Sequence, residues 1–85
     1  MYSVEFSPAA ARDYKKIPTN IIKDINTTIE NISKNPRLPG YKKLKNRNAY
    51  RIRISDYRII YEIHEKILTI LVIRIRHRKE VYRNI

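Results

Sequence analysis

The chain has 85 residues, which is enough for one domain but too few for two domains that each bury a core. Its 19 Lys and Arg outnumber its 8 Asp and Glu, and the net charge of +11 favours a polyanionic or acidic partner. The absence of Cys excludes a disulfide scaffold and a thiolate metal site, and the apolar share of 42% excludes a disordered basic tail.

We expect a cytoplasmic protein with no membrane partner. No apolar run reaches the roughly 18 residues that a membrane-spanning helix needs. The first residues, MYSVEFSPAA, lack the apolar core of a signal peptide.

The first half of the chain predicts a strand followed by two helices. Residues 2–6 alternate between apolar and polar, as in a short strand. Ser7-Pro8 is typical of a helix start, and Ile17-Pro18 ends that helix. A second helix runs up to Asn35-Pro36, with isoleucines at helical spacing on one face, namely Ile21, Ile22, Ile25, Ile29 and Ile32.

The second half predicts three strands after a basic loop over residues 37–48. Tyr50–Ile54 alternates apolar residues with arginines, and residues 57–63 continue as a strand after a turn at Ser55-Asp56. Residues 67–75 are apolar on both faces, which predicts an interior strand. Residues 77–85 predict a basic tail with a short C-terminal helix.

These elements predict one α+β domain over residues 1–85 with the order β-α-α-β-β-β and a short C-terminal helix. The helical hairpin packs on one face of a small, mostly antiparallel four-stranded sheet. The other face of the sheet is left open.

The positive charge is concentrated in the second half of the chain. Residues 42–85 hold thirteen basic and four acidic residues, a net charge of +9, whereas residues 1–41 hold six and four, a net charge of +2. A solvated surface usually mixes both signs. The asymmetry therefore favours an anion-binding surface.

A two-residue turn at Ser55-Asp56 predicts which residues face each other across the hairpin. It pairs Arg53 with Arg58 and places Arg51 on the same open face. Two arginines directly opposite each other destabilise a sheet by up to about 1 kcal/mol. Guanidinium groups bind phosphate through two parallel hydrogen bonds, so the set predicts a phosphate site, although each arginine alone is typical of a solvated strand residue.

The usual catalytic signatures are absent from the sequence. Gly40 is the only glycine, so there is no glycine-rich phosphate loop, and two His without Cys do not favour a metal site. His64 lies at a turn, where solvation is expected. His77 lies between Arg76 and Arg78, and its role stays open between a structural hydrogen bond and catalysis.

KKLKNRNAYRIRISDYRIIYEI (residues 42–63) and VIRIRHRKEVY (residues 72–82) resemble the RelE branch of the RelE/ParE toxins from bacterial and archaeal toxin–antitoxin pairs. The resemblance covers nearly the whole chain. It implies a ribosome-dependent endoribonuclease that cuts mRNA in the ribosomal A site, using basic residues and a tyrosine with no metal or other cofactor.

The resemblance implies site residues as well. The expected catalytic residues are Arg51, Arg53, Arg58, Arg78 and Tyr82. The residues predicted to bind RNA are Lys43, Lys45, Arg76 and His77.

The sequence departs from the family pattern at several of these positions. The first basic pair is often Lys, and because Arg51 and Arg53 stay protonated, they are poor general bases. The base is left open between Tyr82, His77, a lysine such as Lys45, and ribosomal RNA. Asn46 and Ser55 stand where the family tends to have Gly, which both can replace without threatening the fold.

The resemblance also implies partners. These are a cognate antitoxin protein, mRNA in the ribosomal A site and ribosomal RNA, with operator DNA bound only through the antitoxin complex. Two other functions stay open: a ParE-like toxin that poisons DNA gyrase, and an inactive nucleic-acid-binding relative. The arginine set argues against the gyrase poison, which needs no catalytic cluster.

Overall fold

The computed structural model describes residues 1–45 and 47–79 and confirms the predicted α+β fold. Two helices pack on one face of a mixed five-stranded sheet with the strand order β1-β5-β4-β3-β2. The helices are α1 (Pro8–Lys15) and α2 (Thr19–Lys34). The strands are β1 (Ser3–Phe6), β2 (Lys42–Lys43), β3 (Tyr50–Ile54), β4 (Tyr57–His64) and β5 (Thr69–His77), with a single 3-10 turn, Glu65–Ile67, between the last two. Within the described ranges, no helix is long and apolar enough to cross a membrane.

The start of α1 is tied to the sheet by one side chain. Ser7 Oγ accepts a hydrogen bond from Ala10 N at 3.0 Å and donates one to the carbonyl oxygen of Ile73 at 2.7 Å. Pro8 follows as the first helical residue, where its missing N–H costs nothing. The Ser7-Pro8 helix start is confirmed, and it sets the position of α1 against β5.

The sheet has one strand more than predicted. Lys42–Lys43 lies within the segment expected to be a loop, and it pairs antiparallel with Arg51 and Tyr50 on β3. Two residues are too few to show the alternation that reveals a strand in a sequence. β1 pairs in parallel with β5, and the remaining neighbours are antiparallel, so the sheet is mostly antiparallel as expected.

The predicted pairing of β3 with β4 is confirmed at all five positions, from Tyr50 opposite Tyr61 to Ile54 opposite Tyr57. Ile59 and Tyr61 are fully buried beneath the helices, together with Ile25 and Ile32 of α2. The Tyr61 hydroxyl donates to the Pro36 carbonyl at 2.6 Å, and burial raises the pKa of Tyr61 to about 12. The isoleucine stripe of α2 therefore covers the face that the alternation predicts.

Three features expected from the sequence lie outside the described residues. They are the C-terminal helix beyond residue 79, the predicted catalytic Tyr82, and Asn46.

Candidate functional site

A small cleft lies at the end of the sheet where β3 turns into β4. Its lining comes from the ends of β3 and β4, the turn between them and the residue after β5, and it encloses about 110 Å³. This volume is several times that of the space one water molecule needs, so a phosphoryl group has room. We call it the arginine cleft, lined by Arg53, Ser55, Asp56, Tyr57, Arg58 and Arg78.

The backbone at the turn brings the end of β5 to the cleft. Ser55 has a φ of +54°, a conformation that glycine adopts most readily, and it allows the tight two-residue connection at Ser55-Asp56. The backbone N–H of Arg78 donates to the Asp56 carbonyl oxygen at 2.7 Å. A residue 20 positions further along the chain than Arg58 is thereby fixed beside it.

Three arginines face one another across three neighbouring strands. Arg58 on the central strand β4 pairs with Arg53 on β3 on one side and with Arg76 on β5 on the other. The hairpin turn predicts the first of these pairs but not the second. Such a row places like charges opposite each other twice, and each contact costs a fraction of a kcal/mol to about 1 kcal/mol.

The expectation that Arg58 lies open to solvent is wrong. Only 7% of Arg58 is exposed, and it lies on the central strand β4 between Arg53 on β3 and Arg76 on β5. Arg53 is exposed by contrast. One buried arginine, Arg58, and two exposed ones, Arg53 and Arg78, therefore line the cleft.

The lining of the arginine cleft suits an anion. Arg53, Arg58 and Arg78 give three positive charges, and Asp56 gives one negative charge. Guanidinium groups remain charged at all ordinary pH values and offer paired N–H donors that match phosphate oxygens. In the described part of the chain, no group of three His, Asp or Glu side chains is arranged to hold a metal ion.

The other predicted site residues that the structure describes lie outside the arginine cleft. Arg51 is two positions before Arg53 on β3 and pairs with Lys42 and Ile60. Lys43 on the edge strand and Lys45 just after it are both exposed. They extend the positive surface beyond the cleft without lining it.

His77 lies next to the row of arginines but belongs to the other face of the sheet. It pairs with Tyr57, and the two rings meet edge to face with centroids 5.2 Å apart. The Lys79 backbone N–H donates to His77 Nδ1 at 3.2 Å. His77 therefore takes part in a ring contact and accepts a backbone hydrogen bond.

Sequence reasoning did not single out Ser55, Asp56 and Tyr57 as lining residues. The predicted two-residue turn could have identified all three. The residues in and beside such a turn lie at one end of the sheet, and the residues that follow β5 lie at the same end. Asp56 brings a carboxylate into this lining beside the arginines.

Comparison with known proteins supports the family that the sequence resembles. The model of the ParE toxin of the type II toxin–antitoxin system parDE matches residues 4–82. Toxin RelG of Mycobacterium tuberculosis is 31% identical over 85 residues, which cover 96% of this chain and 97% of that protein.

The chain is a RelE-like toxin of the RelE/ParE superfamily.

Other relatives agree on fold and family. Toxin RelE3 of Methanocaldococcus jannaschii is 36% identical to this toxin over 84 residues, 93% of each chain. The toxin also superposes with a TM-score of 0.78 on a chain from a RelB–RelE antitoxin–toxin complex of Methanococcus jannaschii, at 32% identity. That match covers 95% of this toxin and 98% of the other chain.

Proposed function

We propose that this toxin is a ribosome-dependent endoribonuclease that cuts mRNA in the ribosomal A site. The observation that carries the proposal is the convergence of Arg53, Arg58 and Arg78 on one phosphate-sized cleft. The RelE resemblance of the sequence and the identity to the RelG and RelE3 toxins support it.

The reaction needs what this cleft offers. The 2′-oxygen of one nucleotide bonds to the adjacent phosphorus as its proton leaves to a base, and the bond from phosphorus to the 5′-oxygen breaks as that oxygen gains a proton. The products are a 2′,3′-cyclic phosphate, or the 3′-phosphate after hydrolysis, and a 5′-hydroxyl. Negative charge grows on the phosphoryl oxygens and on the leaving oxygen, so arginines already fixed around them stabilise the transition state more than the ground state.

The reaction also needs a proton acceptor for the 2′-hydroxyl and a proton donor for the leaving 5′-oxygen. Neither His77 nor Lys45 lines the arginine cleft, which weakens both as the base. Asp56 and Tyr57 do line it. Tyr82 keeps the role that the family resemblance implies. A positioned proton donor typically contributes about 10²- to 10⁴-fold to the rate.

A cognate antitoxin is the second part of the proposal. A related toxin from Methanococcus jannaschii has been solved in complex with its RelB antitoxin. We propose that an acidic or amphipathic antitoxin segment covers the arginine surface of this toxin, and that operator DNA is bound only by that complex.

The family model supplies a reason to keep a second candidate, because it is named for ParE. A gyrase poison would act through protein contacts and would not depend on an arginine cleft. Both activities should therefore be measured with the same purified toxin: cleavage of mRNA on programmed ribosomes, and supercoiling of plasmid DNA by gyrase.

The variant Arg53→Gln separates the candidates. We expect it to lose mRNA cleavage by about 10²-fold or more, since one preorganised donor to a developing anion is worth that much. Arg12→Gln, which removes an exposed arginine from α1, is the matched control and should cut as the parent does. Gyrase inhibition by the parent without any mRNA cleavage would replace the nuclease with the gyrase poison.

A further inference from the structure

A second cleft, of about 150 Å³, lies between the C-terminal end of α1 and the end of β5. Lys16 ends α1 on one side, and Ile75 and His77 of β5 lie on the other. Of the catalytic residues that the resemblance implies, the four that the structure describes do not line it. We call it the α1 cleft, lined by Asp13, Lys16, Tyr57, Arg74, Ile75 and His77.

The α1 cleft combines cationic, donor and aromatic groups. Lys16 is exposed and offers an ammonium group, and Arg74 is partly exposed. The Asp13 carboxylate does not make the cleft anionic, because the positive charge of Arg74 balances it at 2.8 Å and Lys16 adds a further positive charge. The His77 ring adds an aromatic surface.

This set of groups matches a nucleotide. A phosphate needs a nearby cation and N–H donors, and a base needs an aromatic face on which to stack. Tyr57 and His77 provide two rings that are nearly perpendicular, at 87°, so a planar base can stack on only one of them at a time. Lys16 is placed to reach a phosphate of the same nucleotide.

The two clefts are neighbours at one end of the sheet. Tyr57 lines both of them. Successive residues on a strand point to opposite faces, so Arg58 and Arg76 face one way while Tyr57 and His77 face the other. An RNA strand that passes around the end of the sheet would meet the arginine cleft first and the α1 cleft next.

We propose that the α1 cleft is a second RNA subsite, which holds a nucleotide next to the one cut in the arginine cleft. The position of this nucleotide next to the cut site rests on the proposed nuclease function. The binding of RNA in the α1 cleft rests on the residues of that cleft alone. Lys16 contacts the phosphate, and His77 and Tyr57 contact the base.

Lys15 and Lys16 give a matched pair for the test. Both are exposed and both lie at the C-terminal end of α1, where a positive charge favours the helix dipole, but only Lys16 lines the cleft. The probe is a short single-stranded RNA with a 2′-deoxy nucleotide at the cut position, so that it binds without being cleaved. Its affinity for the purified toxin is measured by fluorescence anisotropy from 50 to about 200 mM salt.

We expect Lys16→Gln to weaken binding about threefold to fivefold, as for one exposed ionic contact. The slope of log affinity against log salt should fall by about 0.7, the value for one lost phosphate contact on a single strand. Lys15→Gln should change neither quantity. In addition, lengthening the probe by one nucleotide on the side of the α1 cleft should strengthen binding by the parent and not by Lys16→Gln.

Equal effects of Lys15→Gln and Lys16→Gln would overturn the subsite, because they would show attraction to general positive charge. Absence of any effect of Lys16→Gln would overturn it as well, even if Arg53→Gln abolishes cleavage and the nuclease stands. The parent toxin could fail to cut mRNA while Lys16→Gln, but not Lys15→Gln, lowers the slope of log affinity against log salt. In that case the nuclease proposal fails and RNA binding in the α1 cleft holds.

Discussion

Asp13 on α1 forms a two-pronged ion pair with Arg74 on β5, with Arg74 Nε 2.8 Å from Oδ2 and Nη2 3.1 Å from Oδ1. The Ile75 backbone N–H also donates to Oδ2, at 3.0 Å. β1 pairs with β5 only as far as Val72, so the carboxylate satisfies a backbone donor beyond the end of that strand. Arg74 therefore has a structural partner, unlike the simple surface arginine that its position near the strand end suggests.

This contact predicts how stability depends on pH. Burial alone would raise the pKa of Asp13, but the hydrogen bonds from Arg74 and Ile75 N, with the charges of Arg74 and Arg76, lower it below 3.8. A carboxyl whose folded pKa lies below its unfolded pKa contributes stability above the unfolded pKa, about 3.9, and loses it as pH falls through the folded pKa.

We expect Asp13→Asn to lower the free energy of unfolding by about 1–3 kcal/mol at pH 6, as for hydrogen bonds to a charged group. The difference from the parent should shrink as pH falls below about 4. Urea titrations at several pH values measure it, with Asp24→Asn, at an exposed position on α2, as the control. A difference that stays constant down to pH 2 would show that the charge of Asp13 is not what stabilises the contact.

The row of arginines predicts that the site is built at a cost to stability. Replacing Arg58 with Met keeps an unbranched side chain of similar length and removes the charge that faces both Arg53 and Arg76. We expect Arg58→Met to raise the free energy of unfolding by about 0.5–1 kcal/mol and to reduce mRNA cleavage by about 10²-fold or more. Thermal unfolding and the ribosome assay give the two values, and a destabilised variant would indicate that the buried guanidinium supports the fold.

Ser55 predicts a second stabilising substitution. Its φ of +54° costs a non-glycine residue about 1–2 kcal/mol. Glycine avoids that cost, but it loses more conformational entropy on folding, which cancels part of the gain. We expect Ser55→Gly to raise the free energy of unfolding by about 0.5–1 kcal/mol. Ser55→Ala keeps the strain and should not stabilise, so chemical denaturation of the two variants isolates the backbone effect from the loss of the hydroxyl.

The isoleucine stripe of α2 predicts a graded loss of stability. Ile25 is fully buried, whereas Ile29 is only partly buried against the same core. We expect Ile25→Ala to cost about 2–5 kcal/mol and Ile29→Ala to cost less. Denaturant unfolding of the two variants shows which one loses more stability. A larger loss for Ile29→Ala would contradict the face of α2 that we assign to the core.

The charge of the toxin predicts the kinetics of antitoxin binding. Because the net charge is +11 and concentrated in the second half of the chain, association with an acidic or amphipathic antitoxin segment should be fast and should slow as salt rises. Apolar contacts should set a slow dissociation that salt changes little. Stopped-flow mixing with the partner encoded beside the toxin tests this, and an association rate that does not change with ionic strength would remove the electrostatic part of the proposal.

The sequence by itself determined the order of the elements apart from the two-residue strand β2, the face of α2 that is buried and the pairing of β3 with β4. These features depend on local information: helical spacing of isoleucines, alternation with period two, and a two-residue turn that fixes the opposite partner of Arg53. The arginines on one face of the hairpin followed directly from that pairing.

The tertiary structure alone decided how the remaining groups assemble. The register of β4 with β5 shifts between Ile60 and Tyr61, where Ile73 is the extra residue on β5, so counting from the turn between them does not place Arg76 opposite Arg58. The row that contains the buried Arg58 depends on that register. The ion pair of Asp13 and the α1 cleft depend on contacts between α1 and β5, such as that of Asp13 with Arg74, which lies 61 positions further along the chain. Such contacts leave no periodic trace in a sequence, because each is satisfied by the packing of whole elements and not by the spacing of neighbouring residues.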